Sequence, residues 1–212
     1  MPISRIQKFE DGSILGLWRI SETIDDLIPL AILTHDELEQ LYKFKSATRQ
    51  LHWLAWRALI HRIAPSSPFS LIYDNNGKPF PNDYSFQLSV SHSGNWASCL
   101  INPTHPVGLD IEAIQERVLK VKERFLSSEE LEYFLSLGND PLIFTILWST
   151  KEAVFKYIGR KGIDIRQQIK IEPFSPLVSH TFYVNIRDNS NHNRLMLNWE
   201  NIDDKYLIVY TR

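Results

Sequence analysis

The chain has 212 residues, 43% hydrophobic and 23% charged, enough for one large folded domain or two smaller ones, and it contains no low-complexity tract. A formal net charge of −2 removes the overall basicity of a general nucleic-acid binder and leaves room for a local basic patch that binds phosphate. Met1-Pro2-Ile3-Ser4-Arg5 leads into no signal-peptide core, and the longest apolar runs are too short to span a bilayer. The single cysteine, Cys99, cannot close an internal disulfide; together these features point to a reducing cytoplasm, with Cys99 a buried small hydrophobe inside Trp96-Ala97-Ser98-Cys99-Leu100-Ile101.

Residues 13–20, Ser-Ile-Leu-Gly-Leu-Trp-Arg-Ile, form an apolar run of strand length. From Leu27 to Ala64 the spacing is helical, with no proline after Pro29, and Thr34 followed by Glu37 is a capping box. From about Ser46 to Ile63 the residues Leu51, Leu54, Ala55, Ala58 and Leu59 recur at core spacing, which leaves Arg49 and Arg57 for another face; Pro65-Ser66-Ser67-Pro68 ends the helix. Leu71-Ile72-Tyr73 and then Asp74-Asn75-Asn76-Gly77 read as strand and tight turn, and a hairpin spans Phe86 to Ile101.

Pro103 and Pro106 bracket a break near the middle of the chain. Beyond it come a strand over Val107 to Ile114, a helix near residues 127–137 and a long helix near 141–158. Strands follow over Thr181 to Arg187, Arg194 to Trp199 and Tyr206 to Thr211, separated by polar turns such as Asp188-Asn189-Ser190-Asn191. Both halves, 1–104 and 105–212, are therefore mixed α and β, and the order of strands within a sheet is not legible.

Alternation in Val107-Gly108-Leu109-Asp110-Ile111-Glu112 puts Leu109 and Ile111 on one strand face and the carboxylates of Asp110 and Glu112 together on the other. Side-by-side carboxylates ask for a counter-charge, a shared proton or a hard cation such as magnesium, unless the strand is simply a solvated edge. Along Trp148-Ser149-Thr150-Lys151-Glu152-Ala153-Val154-Phe155-Lys156, the residues Trp148, Glu152 and Lys156 follow at four-residue steps, with Lys151 and Phe155 in an adjacent row. By itself this helix reads first as an exposed Glu–Lys pair.

Ser91-His92-Ser93-Gly94 gathers hydroxyls and an imidazole able to donate to phosphate oxygens, or else is a turn with a structural histidine. Gly77-Lys78-Pro79 offers one cation on a stiff loop, and Arg49 and Arg57 either grip phosphate or are ordinary surface. No Walker-type loop, G-x-S-x-G, G-x-G-x-x-G or zinc-spaced cluster occurs.

In order, Gly77-Lys78-Pro79, Ser91-His92-Ser93, the Asp110-x-Glu112 strand, Phe125 to Glu130 and the W-x-x-K-E-A-x-x-K helix from Trp148 to Lys156 resemble the motif series of the 4′-phosphopantetheinyl transferases. The long, surfactin-synthetase-activating class is the nearest type, and Gly159-Arg160-Lys161-Gly162 resembles that family's glycine-containing helix exit. The resemblance implies an α+β fold of two similar-sized pseudo-symmetric α/β halves, each a small, mainly antiparallel sheet packed on a long helix. Residues 1–104 would contact the coenzyme A nucleotide; residues 105–212 would carry the metal site and catalytic helix, the site lying at their junction.

The implied reaction moves the 4′-phosphopantetheine arm of coenzyme A onto a serine of an apo acyl carrier protein, or of a carrier domain of a polyketide or peptide synthetase. It uses magnesium, releases adenosine 3′,5′-bisphosphate and needs neither nucleic acid nor membrane; a monomer is expected. By motif position, Asp110, Glu112 and Glu152 hold the metal, and Glu152, Lys156 and His92 are catalytic. Arg49, Lys78, Pro79, Ser91, His92, Lys151 and Lys156 contact coenzyme A, with Lys43 and Lys45 as alternatives to Arg49. Basic Lys120-Val121-Lys122-Glu123-Arg124 suits docking of an acidic carrier. The rival readings are another magnesium-dependent phosphotransfer enzyme, such as a nuclease, and a non-catalytic carrier-protein binder.

Overall fold

A computed structural model describes residues 3–64, 69–188 and 191–212 of the chain, which divides into two compact units, Met1–Pro106 and Val107–Arg212. Both units repeat one construction, an antiparallel sheet packed on a long helix.

In the N-terminal unit, strands β1 (Ile3–Lys8) and β2 (Ile14–Arg19) precede helices α1 (Ile24–Ala31), α2 (His35–Lys43) and α3 (Ala47–Ile63). The hairpin of β3 (Leu71–Tyr73) and β4 (Pro79–Pro81) follows, then β5 (Gln87–Ser93) and β6 (Trp96–Asn102). The main sheet has the order β1-β2-β6-β5, and α3 packs on β2, β6 and β5. Leu54, Ala55, Ala58 and Leu59 of α3 meet Trp18, Leu88, Ala97 and Ile101 in one apolar cluster, as the core spacing predicts. Cys99 is buried among them, its thiol donating to the Trp56 carbonyl at 3.4 Å, and burial pushes its pKa well above the ordinary value.

The helical spacing from Leu27 to Ala64 resolves into three helices, with the starts expected at Thr34 and near Ser46. Ile32 ends α1 in the left-handed region (φ 49°), and Phe44 ends α2 in extended backbone. Thr34 opens α2 through its capping box with Glu37, and Ser46 opens α3 by accepting from the Arg49 amide. The turn at Pro65-Ser66-Ser67-Pro68 lies outside the described residues, as do Asn189 and Ser190 of the later polar turn.

A further correction concerns Arg57, which is 1% exposed and lies on no open face. Its guanidinium carbon stands 3.3 Å from the Trp53 ring centroid and 4.2 Å from that of Trp56. Nη2 donates to the Tyr73 hydroxyl at 2.7 Å and Nε to Glu37 Oε1 at 3.3 Å. Burial lowers its pKa, while Tyr73 and Glu37 favour the charge. Arg57 thus ties α3 to α2 and β3.

The C-terminal unit runs from β7 (Leu109–Ala113), through a 3₁₀ segment (Glu116–Lys120) and the short α4 (Lys122–Phe125), to α5 (Ser128–Ser136) and α6 (Pro141–Ile158). The short α7 (Ile165–Gln168) leads into β8 (Ile169–Ile171), β9 (Thr181–Asp188), β10 (Asn191–Asp203) and β11 (Tyr206–Thr211). Its sheet order is β7-β11-β10-β9-β8, antiparallel throughout, with α6 packed on β7, β11 and β8. Asp140 caps α6 by accepting from the Leu142 amide, Pro141 takes a first-turn position, and Gly159 ends the helix in the left-handed region (φ 68°). Among the described residues no helix is long and apolar enough to cross a membrane.

Candidate active site

The register of β7 decides where its carboxylates face. Asp110 lies opposite Val209 and Glu112 opposite Leu207, and directly opposed residues share a sheet face. Leu207 and Val209 belong to the apolar cluster that also contains Phe144, Ile146, Leu147, Ala153 and Val154 of α6, so Asp110 and Glu112 point toward the helix. β7 is an edge strand, yet its carboxylate face is covered rather than solvated: Asp110 is 4% exposed.

Close approach of strand and helix depends on Gly108. A Cβ built there would stand 2.0 Å from the Ala153 carbonyl oxygen and 2.8 Å from the Tyr157 nitrogen, distances no side chain tolerates. Glycine lets the start of β7 press on the α6 backbone, which brings the two polar rows together. Lys156 Nζ donates to Asp110 Oδ1 at 2.8 Å, and the indole of Trp148 donates to Glu112 Oε1 at 3.3 Å. Trp148 is itself held edge-on by Phe125, with ring centroids 5.2 Å apart. Glu152, between Trp148 and Lys156 on the same helix row, has its pKa raised above the usual carboxylate range by burial first, then by Asp110 and Glu112, with Lys156 opposing.

These are the electrostatics of a site short of positive charge. Among the described residues no group of three or more His, Cys, Asp and Glu side chains is gathered tightly enough to hold a metal ion. The donor set nonetheless fits a hard divalent cation. All the donors are carboxylate oxygens, and the mutual repulsion that raises Glu152 is what such an ion would relieve. Beside Glu112 opens a cleft of about 270 Å³ lined by Arg117, Val118, Val121, Thr145 and Trp148.

Lys151 does not join this constellation. Its ammonium, fully buried, donates to both oxygens of Glu130 at 2.8 and 3.0 Å, to the Ile165 carbonyl at 3.3 Å, and to the Ile169 carbonyl. Burial pushes its pKa down to about 8 despite the opposing pull of Glu130. Glu130 also accepts from the amides of Ser127 and Ile171, so the pair knits α6 to α5 and β8. The capping box of Ser127 and Glu130 was the signal available in the sequence; that its carboxylate also serves Lys151, 21 residues away, was not.

In the N-terminal unit, Ser91, His92 and Ser93 lie within β5 rather than in the turn, which falls at Gly94. The His92 ring is exposed and stacks on His52 at 4.3 Å, while His52 Nε2 is 2.6 Å from the Gly94 carbonyl. His52 is thus a support for His92 that spacing did not reveal. Lys78 is half-buried, with burial lowering its pKa and Asp74 opposing; its backbone amide donates to Asp74 Oδ1 at 2.8 Å. Pro79 begins β4, and exposed Arg49 lies 4.5 Å from the Phe44 ring.

Residues 106–210, which include Asp110, Glu112, Glu152 and Lys156, match the family profile described as the 4′-phosphopantetheinyl transferase superfamily. The chain is 38% identical over 86 residues to the 4′-phosphopantetheinyl transferase gsp of Aneurinibacillus migulanus, covering 40% of this chain and 35% of that protein. To psf-1 of Bacillus pumilus it is 38% identical over 112 residues, 50% of this chain and 47% of the relative. To ffp of Bacillus subtilis it is 27% identical over 195 residues, 82% and 84% of the two chains. The matched stretch therefore spans less than half the length of the first two relatives. Residues 106–210, which hold both the carboxylate strand and the lysine-bearing helix, thus carry the chain's likeness to the 4′-phosphopantetheinyl transferase superfamily.

Proposed function

We propose that the protein is a magnesium-dependent 4′-phosphopantetheinyl transferase of the long, surfactin-synthetase-activating type. It moves the phosphopantetheine arm of coenzyme A to a serine of an apo acyl carrier protein or carrier domain. The observation that carries this reading is the convergence of Asp110, Glu112, Glu152 and Lys156 across β7 and α6, within the stretch that matches the superfamily. Three carboxylates and a paired ammonium on two rigid elements supply positioning and charge stabilisation, which are the main demands of phosphoryl transfer.

In this reading Asp110, Glu112 and Glu152 hold magnesium, which neutralises pyrophosphate charge when bound. Lys156 stabilises phosphate oxygens and Trp148 orients Glu112 through its indole hydrogen bond. The carrier serine oxygen forms a bond to the β-phosphorus of coenzyme A while the bond to adenosine 3′,5′-bisphosphate breaks. The serine proton passes to Glu152, directly or through a water it orients. In the N-terminal unit His92, Ser91, Lys78, Pro79 and Arg49 are assigned to the nucleotide and its phosphates. Lys151 is reassigned from coenzyme A contact to anchoring α6, because its donors are spent on Glu130 and two carbonyls.

The test is mass spectrometry of apo carrier proteins of fatty-acid, polyketide and peptide-synthetase types after incubation with the protein, coenzyme A and magnesium. Addition of one phosphopantetheinyl group, lost in Glu152→Gln, is expected. No addition to any of the carriers, with the chain folded, would overturn the proposal.

A further inference from the structure

A second cleft in the C-terminal unit, about 700 Å³, shares no lining residue with the Asp110–Glu112–Glu152 constellation. Its floor follows from strand alternation. Ile169 and Ile171 of β8 are buried and Lys170 between them turns outward; Val184 and Ile186 of β9 are buried and Asn185 and Arg187 turn outward. The register sets Lys170 opposite Asn185, and His192 of β10 opposite Arg187, so these side chains share the outer face of the sheet. Arg166 of α7 and Tyr133 of α5 complete the wall, with Ser127 and Ser128 at the start of α5.

The charge in this cleft is lopsided. Arg166, Lys170 and Arg187 have no ion-pair partner among the described residues, unlike Arg194 farther along the same face, which is clamped to Glu172 by bonds of 2.7 and 2.8 Å. Of the two carboxylates in the lining, Glu130 is already neutralised by Lys151, which leaves Glu129. The Nε of Arg166 is buried and has no acceptor among the described residues, a donor left for an incoming anion. Two guanidinium groups and an ammonium lining a cleft of ligand size, with a phenol ring alongside, match a phosphate ester in charge and in the type of donor offered.

We propose that this cleft is a binding site for a phosphate-bearing small molecule, seated by Arg166, Lys170 and Arg187, and independent of the site assigned to transfer. The inference does not rest on the transferase reading, since it draws on none of that site's residues.

Pyrophosphate is the probe. Titration into the full chain at constant ionic strength, followed by calorimetry and by the arginine Nε–Hε NMR signals, should shift the signals of Arg166 and Arg187. Arg187→Glu, at an exposed position where folding is not at risk, should weaken binding about tenfold or more, and Arg166→Gln similarly, as expected for loss of a charge-assisted hydrogen bond. Lys156→Ala should leave these shifts in place. The proposal is overturned if Arg187→Glu binds pyrophosphate as tightly as the parent chain, if the shifts vanish in Lys156→Ala, or if an acidic peptide moves both signals and pyrophosphate moves neither.

Discussion

Replacing Lys151 with methionine should destabilise the C-terminal unit severely while leaving the transfer chemistry's own groups in place. The lysine and Glu130 side chains are 0% and 4% exposed, so removing the ammonium strands a carboxylate that only the amides of Ser127 and Ile171 still satisfy. Breaking a buried pair from one side costs about 3–5 kcal/mol. In a protein of this size each kcal/mol moves the melting midpoint by about 2–4 °C, so a drop of roughly 6–20 °C is expected. Since the chain has two compact units, the loss should be followed by calorimetry together with hydrogen exchange at the Ile171 amide, which donates to Glu130 Oε1 at 2.8 Å. Lys151→Met combined with Glu130→Gln should recover part of the loss, because no buried charge is then left alone. If Lys151→Met instead melts within about 1 kcal/mol of the parent chain and raises KM for coenzyme A, the anchoring role is wrong and a phosphate contact is right.

Three residues of the same unit, with Arg57 of the other, supply further checks. In metal-free buffer Glu152→Gln should raise the unfolding midpoint near neutral pH. A carboxyl whose folded pKa is raised contributes most to stability below its unfolded value and loses that contribution as pH rises through the folded value, so the advantage of glutamine should vanish in acid. Gly108→Ala forces a methyl to within 2.0 Å of the Ala153 carbonyl and should cost more than about 3 kcal/mol, with β7 displaced from α6 and turnover lost, as read by urea unfolding and kcat. Arg57→Lys cannot keep both the Tyr73 and Glu37 bonds and the stacking on Trp53 and Trp56, and should lose about 2–4 kcal/mol in urea. Lys120→Glu, at an exposed position, should raise KM for an acidic carrier several-fold and leave KM for coenzyme A unchanged; Lys122 is a poorer choice because its ammonium also donates to Asn139 at 2.6 Å.

Local features were legible because their causes are local. The limits of α6 follow from Asp140, Pro141 and Gly159, the capping box at Thr34 from residues three apart, and the pairing of Asp110 with Glu112 on one face from strand alternation. Helical spacing likewise set Glu152 one turn from Lys156, and those residues do sit together against β7.

What the sequence determined by itself was therefore the period and ends of the main elements and the side-chain types that share a face. Tertiary structure alone decided which of those faces is buried and against what. Lys151 and Lys156 carry the same charge five positions apart on one helix, yet one is spent on Glu130 inside the core and the other faces Asp110 at the site. Arg49 and Arg57 divide in the same way, one exposed and the other enclosed by two tryptophans, a tyrosine and a glutamate. A charged side chain is stabilised by partners that folding brings from distant positions, and no spacing within the helix records who those partners will be.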